Sequence, residues 1–448
     1  MQKSIVLTFI SFLTTISLFA QSTNWQERAE MPEAVSNNAV AYATVGGEPY
    51  VFSFAGIDET KQWSGIHKRA FRYNVNADTW ETIPELPSGN GRIAAGASTV
   101  NNKIYIIGGY EVFADGHEVS YDKVHIYDPE TNSYLPDGAA IPIPIDDHVQ
   151  AIYKDSLIYV VTGWSNNNNV NAVQIYDPAN DTWSVGTSVP NNGVWEYKVF
   201  GASGAILGDT IYYTGGAKFG SNFPMTSALR KGAINPDDPT EITWSTEFNT
   251  IAKTYRAGIA VYDPTYSNGE FVVEQMLIIG GASTSYNYDG LAYSNGQGVE
   301  PVSTLSELAY GKLFTVDSTE NSLPIMDLRG VGYWTDDLWT LHAIVAGGML
   351  SDQTVSNKTS LMESYSLINT ETVKIPPIKI HPNPATNTIF IDQEGAFQLR
   401  LFNTNGELIL DQKVVNQRVD VSMLTSGMYF LSIGQDGKQL AYQKLVIE

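Results

Sequence analysis

Four cationic side chains stand just ahead of β-forming runs in different parts of the chain: Arg92, Lys198, Arg256 and Arg329. A guanidinium grips a carboxylate through two parallel hydrogen bonds, so several converging on one place would suit an acidic ligand. Lysine and arginine number 26 against 48 aspartates and glutamates, a formal net charge of −22. A cationic ring in a concave mouth would stand out against that background. The same residues have a plainer use, each pairing with a nearby acid to lock neighbouring elements together. His148 follows Asp147, and Trp164 precedes Ser165 and the four asparagines Asn166 to Asn169. Aromatic faces beside amides suit sugar rings and peptide backbones. The ligand-binding candidates are therefore Arg92, His148, Trp164, Lys198, Arg256 and Arg329. Glu196, between Trp195 and Tyr197, is a weaker candidate for a general acid or base. Its plainer reading is a solvated glutamate beside Lys198.

The residue inventory also argues against several chemistries. His67, His117 and His148 are scattered without a ligand spacing, so neither a metal site nor a cofactor is expected. The chain has no cysteine, which excludes disulfides, thiolate metal sites and a cysteine nucleophile. Its acidity argues against a grip on nucleic acid or an anionic membrane.

The elements that must position these residues repeat. Lys103-Ile104-Tyr105-Ile106-Ile107-Gly108-Gly109 is a short β-branched and aromatic run stopped by two glycines, the pattern of a buried strand. Weaker copies end at Gly56, Gly163, Gly216, Gly281 and Gly348. Successive copies lie about fifty to seventy residues apart, a period that suits a propeller built from repeated sheets. Turns such as Tyr127-Asp128-Pro129 and Tyr176-Asp177-Pro178 precede strands led by Tyr134 or Trp183, since Asp and Pro favour hairpin turns. Each unit reads as four strands. A Trp-led strand at Trp25 comes before the first full unit, so residues 25–32 are expected to supply the outer strand of the last one. The alternative is residues 372–375. The glycine pairs read as structural, because no helix start follows them to cradle phosphate.

These parts resemble the kelch repeat, over roughly Trp25 to Leu367. The resemblance implies an all-β, six-bladed kelch β-propeller, with ligands at one mouth of the axial funnel. That mouth is lined by loops entering the innermost strands and leaving the second strands. Some kelch propellers resemble galactose oxidase, whose copper radical site needs a cysteine-linked tyrosine that this chain cannot form. Others resemble sialic acid mutarotases, which bind an anionic sugar in an arginine-lined funnel.

The ends carry addresses. Residues 1–20 have the charged start, apolar run and small final residue of a signal peptide. Beyond Ile375-Pro376-Pro377 the pattern changes to period-two alternation with Asn405-Gly406 and Ser426-Gly427 turns, a small antiparallel β-sandwich. His381-Pro382-Asn383-Pro384-Ala385, Ser426-Gly427-Met428-Tyr429 and Lys444-Leu445-Val446 resemble the C-terminal sorting domain of the type IX secretion system. The expected domains are a signal peptide (1–20), a propeller (21–375) and a sorting domain (376–448). The resemblance implies export across the inner and then the outer membrane, to the surface or the medium, through machinery that reads residues 376–448. No segment after the leader is long and apolar enough to cross a membrane. The expected function is a carbohydrate- or protein-binding module acting on a glycan or surface protein. The alternatives are a mutarotase-like enzyme acting on an acidic sugar such as sialic acid, and a structural extracellular component.

Overall fold

A computed structural model of the protein describes residues 24–191, 197–262, 274–309, 311–317, 323–336, 340–365, 380–391, 396–403, 408–435 and 438–447. The expected leader, Glu196, residues 372–375 and the linker near Pro376 lie outside these residues. The chain divides into two compact units, one over Ala20–Thr265 and Val272–Leu367, the other holding the described residues from Ile380 onward.

The described residues of the larger unit form six main antiparallel sheets, five of four strands and one of five, besides a two-stranded hairpin. The first holds Ala39–Val45, Glu48–Ile57, Ile66–Asn74 and Thr79–Ile83. The second holds Ile93–Val100, Lys103–Val112, Val124–Asp128 and Ser133–Tyr134, with Glu118–Ser120 added along its second strand. The third is Val149–Tyr153, Leu157–Val161, Val173–Asp177 and Thr182–Gly186. The fourth is Ser203–Leu207, Thr210–Thr214, Ala228–Asn235 and Asp238–Phe248. The fifth is Gly258–Tyr262, Gln275–Ile279, Leu305–Ala309 and Lys312–Asp317. The sixth takes Gly332–Thr335, Thr340–Ala346 and Thr359–Tyr365 from late in the chain and Asn24–Arg28 from its start. Asn24–Arg28 pairs antiparallel with Thr359–Tyr365, Asn24 opposite Glu363 and Arg28 opposite Thr359. The N-terminal strand thus closes the last sheet, as its Trp-led pattern predicts.

Second strands are buried on both faces, which is why they read as continuous β-branched runs: Ile104, Ile106 and Ile107 are all fully buried. Aromatic residues fill the outer gaps between sheets. Trp80 packs on Tyr73 and donates its indole N–H to the Ala29 carbonyl in the stretch that follows the N-terminal strand. Trp183 repeats this with Tyr176 and the Ala139 carbonyl. The turn aspartates join in: Asp78 accepts from Tyr73 O–H and Ala29 N–H, and Asp181 from Tyr176 O–H and Ala139 N–H.

Two circuits of backbone hydrogen bonds run through all six sheets. In the outer one, a glycine amide late in or just after each second strand donates to the loop leading into the next sheet: Gly56 to Arg92, Gly109 to Ile145, Gly163 to Val199, Gly216 to Thr254, Gly281 to Ile325, and Gly348 back to Val35. The residue before each of these glycines also has a left-handed backbone, which brings the neighbouring loop very close. A Cβ built on Gly108 would lie 2.2 Å from the Ile145 carbonyl oxygen. Where Thr162 takes that place, its hydroxyl donates to the approaching Val199 carbonyl instead.

The inner circuit links residues at or just ahead of the start of the innermost strands. Asn37, Ala94, Asp147, Gly201, Arg256 and Asp327 all adopt positive φ, between 47° and 65°. Asn37 N–H donates to Asp327, Leu328 to Arg256, Arg256 to Gly201, Gly201 to Asp147 and Asp147 to Ala94. The Ala94 amide completes the round on the Asn37 side-chain oxygen.

The second unit packs a three-stranded sheet (Ile380–His381, Thr388–Ile391, Arg418–Asp420) and a four-stranded one (Leu408–Val414, Phe397–Phe402, Gly427–Gln435, Lys438–Ile447). Ile389, Leu399, Leu401, Leu431 and Leu445 are fully buried at their common core.

Candidate ligand-binding site

The inner circuit carries the charged centre of the larger unit. Arg256 donates from Nε and Nη2 to both oxygens of Asp147, at 3.0 and 2.6 Å, and from Nη1 to Asp327 at 3.0 Å. Asn37 donates to the same Asp327 oxygen. Arg329 sits beside this group, with Nη1 3.6 Å from Asp147 and Nη2 donating to the His148 carbonyl. Every one of these charged side chains is buried. Burial pushes against the Asp147 charge, but Arg256 and Arg329 outweigh it and hold its carboxyl below the usual range. Burial raises Asp327, against the pull of Arg256. Burial also drives the His148 imidazole down to about 3, with Arg329 adding to the effect, so it stays neutral.

The expected convergence of four cations is therefore corrected. Arg256 alone occupies a circuit position, and its guanidinium is committed to two aspartates. Arg329 joins it through Asp147 and donates to the His148 carbonyl. Arg92 turns into the second sheet instead, donating to the Gly108 carbonyl, lying 2.6 Å from His125 Nε2 and stacking over Tyr121 at 4.2 Å. Lys198 contributes its backbone carbonyl to Asn169. The physical reason is register. The lead-in loops differ in length, so a residue two places before one left-handed turn and another two places after the next are not equivalent.

Sequence reasoning missed Asn37, Asp327, Glu118 and Asp146. The recurring signal was present: an Asn or Asp stands shortly before the innermost strand at Asn37, Asp146-Asp147 and Asp327. Above the charged centre the loop face is acidic and aromatic. Ser120 O–H donates to Asp146 at 2.5 Å, and the Ser120 amide and hydroxyl both bond Asn166. This staples the loop of the second sheet to that of the third. Burial, then the charge of Asp147, pushes the Asp146 carboxyl far up. Glu118 keeps solvent access, yet the loops packed around it raise its carboxyl, against the opposing charge of Arg256.

Trp164 lies across an antiparallel bridge from Asp146. Its indole stacks with Phe219 at 6.2 Å and meets Phe223 edge-on at 5.6 Å and Phe200 at 5.5 Å. Tyr293, from the long loop of the fifth sheet, closes on Phe223 at 4.8 Å. Loops of three sheets thus meet in one aromatic surface, of which Phe219 stays 56% exposed. The Trp164–Ser165 and Asn168–Asn169 hairpin places the asparagines along its edge. Among the described residues no cluster of His, Asp or Glu could hold a metal ion.

Comparison with known proteins follows the two units. The KLHDC2/KLHL20/DRC7 Kelch-repeats domain matches residues 13–216, and the secretion system C-terminal sorting domain matches residues 379–448. The chain thus carries a kelch-repeat stretch and a secretion sorting tail. Among its curated relatives, the Kelch-like protein terF of Aspergillus terreus is 27% identical over 43% of this chain and 40% of its own length. Kelch-like protein 25 of Xenopus tropicalis is 28% identical over 37% of this chain and 27% of its own length. Beta-agarase D of Zobellia galactanivorans is 30% identical over 20% of this chain and 19% of its own length. The kelch protein thus spans two fifths or less of each of these relatives. The solved structure titled "Structure of YjhT" aligns with a TM-score of 0.54 at 15% identity, covering 75% of this chain and 99% of that one. At that identity the likeness shows the fold, a kelch propeller. The sorting domain makes this an exported protein of the type IX route, and among the described residues no helix is long and apolar enough to cross a membrane.

Proposed function

We propose that this exported kelch protein is a carbohydrate-binding module, with a glycan lying on the loop face across Trp164 and Phe219. In this reading the six sheets are the blades of a closed six-bladed propeller over residues 21–375, preceded by a leader (1–20) and followed by the sorting tail (376–448). The observation that carries it is the aromatic surface built from three separate loops and edged by the Asn166–Asn169 hairpin. A half-exposed aromatic face covers the apolar side of a pyranose, and neighbouring amides take its hydroxyls. Electrostatics favour a neutral glycan over an acidic one. Arg256 is spent on Asp147 and Asp327, and the carboxyls of Asp146 and Glu118, raised toward the neutral form, offer hydrogen-bond partners rather than a cation at the mouth. The mutarotase alternative needs an arginine-lined funnel and Glu196; the four cations do not converge, and Glu196 lies outside the described residues.

A glycan array probed with the full chain should give saturable binding to neutral oligosaccharides. Phe219→Ala, at an exposed position, should weaken the best hit about tenfold, the scale of one stacking contact. Phe248→Ala is the matched control, since Phe248 is 80% exposed on the outer strand of the fourth sheet. Equal loss in both variants, or an array without neutral hits, would reject this reading.

A further inference from the structure

The centre of the loop face holds more carboxyls than cations. Arg256 pairs with Asp147 and Asp327, and Arg329 leans on the same Asp147. Asp146 and Glu118 stand beside this group without a counter-charge. Asp146 accepts from the Ser120 hydroxyl, and among the described residues neither carboxyl forms an ion pair. Three of these four acids are buried, and Glu118 is the one that solvent reaches.

The direction of Glu118 follows from its strand. It begins Glu118–Ser120, which pairs with the end of the second strand, Glu118 opposite Val112. Side chains two apart on a strand share a face. Ser120 turns its hydroxyl inward onto Asp146, so Glu118 faces inward as well. The tyrosines on that side feel it. Burial raises the Tyr110 phenol, and the charge of Glu118 is the next cause. Burial raises Tyr293 too, with Glu118 among the charges that add to it. Tyr293 is the residue that meets Phe223 at 4.8 Å, so Glu118 stands at the inner end of the aromatic surface. The charges that act on Glu118 itself are those of Arg256, which is spent on two aspartates, and of Asp147, which repels it. His117, next in the chain, is taken by Asp115 at 2.6 Å.

A carboxyl kept in a concave place without a cation is pushed toward its neutral form, and an ammonium brought beside it restores the charge. Aromatic faces attract the same group through their π electrons. The formal charge of −22 adds a long-range pull on any cation. We infer that the glycan lying on this face carries a free amino group, whose ammonium bonds the Glu118 carboxylate at the inner end of the aromatic surface. This rests on the glycan reading above and names its class, a glycan of amino sugars without their acetyl groups. An acetamide in the same place offers Glu118 one N–H and no charge, so the neutral form stacks on the surface and binds more weakly.

Titration calorimetry of the full chain at about pH 6, where a sugar amine is protonated, compares the glucosamine hexamer with the N-acetylglucosamine hexamer. The amine hexamer should bind about fivefold tighter, the scale of a solvent-accessible charge pair. Added salt should narrow the gap. Glu118→Gln should weaken the amine hexamer about fivefold, to the affinity of its acetylated counterpart. Glu118 is exposed and unpaired among the described residues, so the substitution leaves the fold intact. Glu241→Gln removes the same charge from the outer strand of the fourth sheet and should leave the gap in place. That control separates a local contact from the pull of the whole acidic chain. Equal affinity for the two hexamers, or a gap that survives Glu118→Gln, overturns the inference and leaves the glycan reading standing. So does a gap that Glu241→Gln closes equally well. Hexalysine bound as tightly as the amine hexamer overturns it too, because the ammonium is then recognised without a sugar. Binding of neither hexamer also overturns it, and the array with Phe219→Ala decides the glycan reading separately.

Discussion

Arg256 donates to two aspartates, Asp147 and Asp327, in a space that excludes water, and this pattern sets how the molecule answers to mutation and to acid. Removing one member of a buried ion group strands its partner, at a cost of about 3–5 kcal/mol. Asp147→Asn should therefore lower stability by that order in a denaturant melt at neutral pH. Because the folded-state pKa of Asp147 is depressed, its contribution is present above the ordinary carboxylate range. It is lost as pH falls through the folded value, so the variant and the parent should converge in acid. Glu307 behaves in the opposite sense. It is buried on the third strand of the fifth sheet, its Oε1 has no partner, and burial alone lifts it from 4.5 to about 7. Below 4.5 it is protonated whether folded or not. Between 4.5 and 7 the unfolded chain ionises while the folded one resists, so stability is lost as pH rises through that window. Glu307→Gln should leave the melt at pH 4.5 nearly unchanged and stabilise the protein at pH 8, by up to about 3 kcal/mol. Equal shifts at both pH values would show that Glu307 is not the group responsible.

At the scale of elements, the glycine pairs hold neighbouring sheets together. Gly108 combines a left-handed backbone with contact to the Ile145 carbonyl, whereas a Cβ on Gly89 would meet nothing within 4 Å. Gly108→Ala should cost about 1–3 kcal/mol by chemical denaturation and Gly89→Ala well under 1 kcal/mol. Equal effects would mean that close approach between sheets is not what fixes the pair. These strands were legible because β-branched runs ending in glycine have few other uses, and because Asp and Pro mark the hairpins of the second and third sheets. The outer strand at Trp25 was legible for the same reason, since it matches Trp80 and Trp183 and precedes any complete unit. The site was harder. Trp164, Phe219, Phe223 and Tyr293 could each be picked out as loop aromatics, but only the fold brings loops of three sheets together. The arginines were mis-registered because a lead-in loop can change length without disturbing the sheets on either side. Inward and inter-sheet positions then exchange over one or two residues.

At the scale of the whole chain, folding of the propeller and delivery of the protein belong to different residues. The larger unit completes its hydrogen bonding internally, from Gly348 back to Val35 and from the N-terminal strand onto Thr359–Tyr365. The tail has its own core around Leu399, Leu401, Leu431 and Leu445. Each therefore has the burial needed to stand as a cooperative unit. A chain ending at residue 376 should give a purified propeller with the same melting temperature and the same glycan affinity as the full chain. Expressed in a type IX-secreting host, it should accumulate between the two membranes, while the full chain reaches the surface or the medium. The tail fused to an unrelated folded passenger should carry that passenger outside. If the shortened chain is still delivered, the sorting role of the tail fails while the propeller reading stands. If it is retained because it is unfolded, the two units are one folding unit, and the division of labour fails instead. Circular dichroism on the retained material tells these outcomes apart.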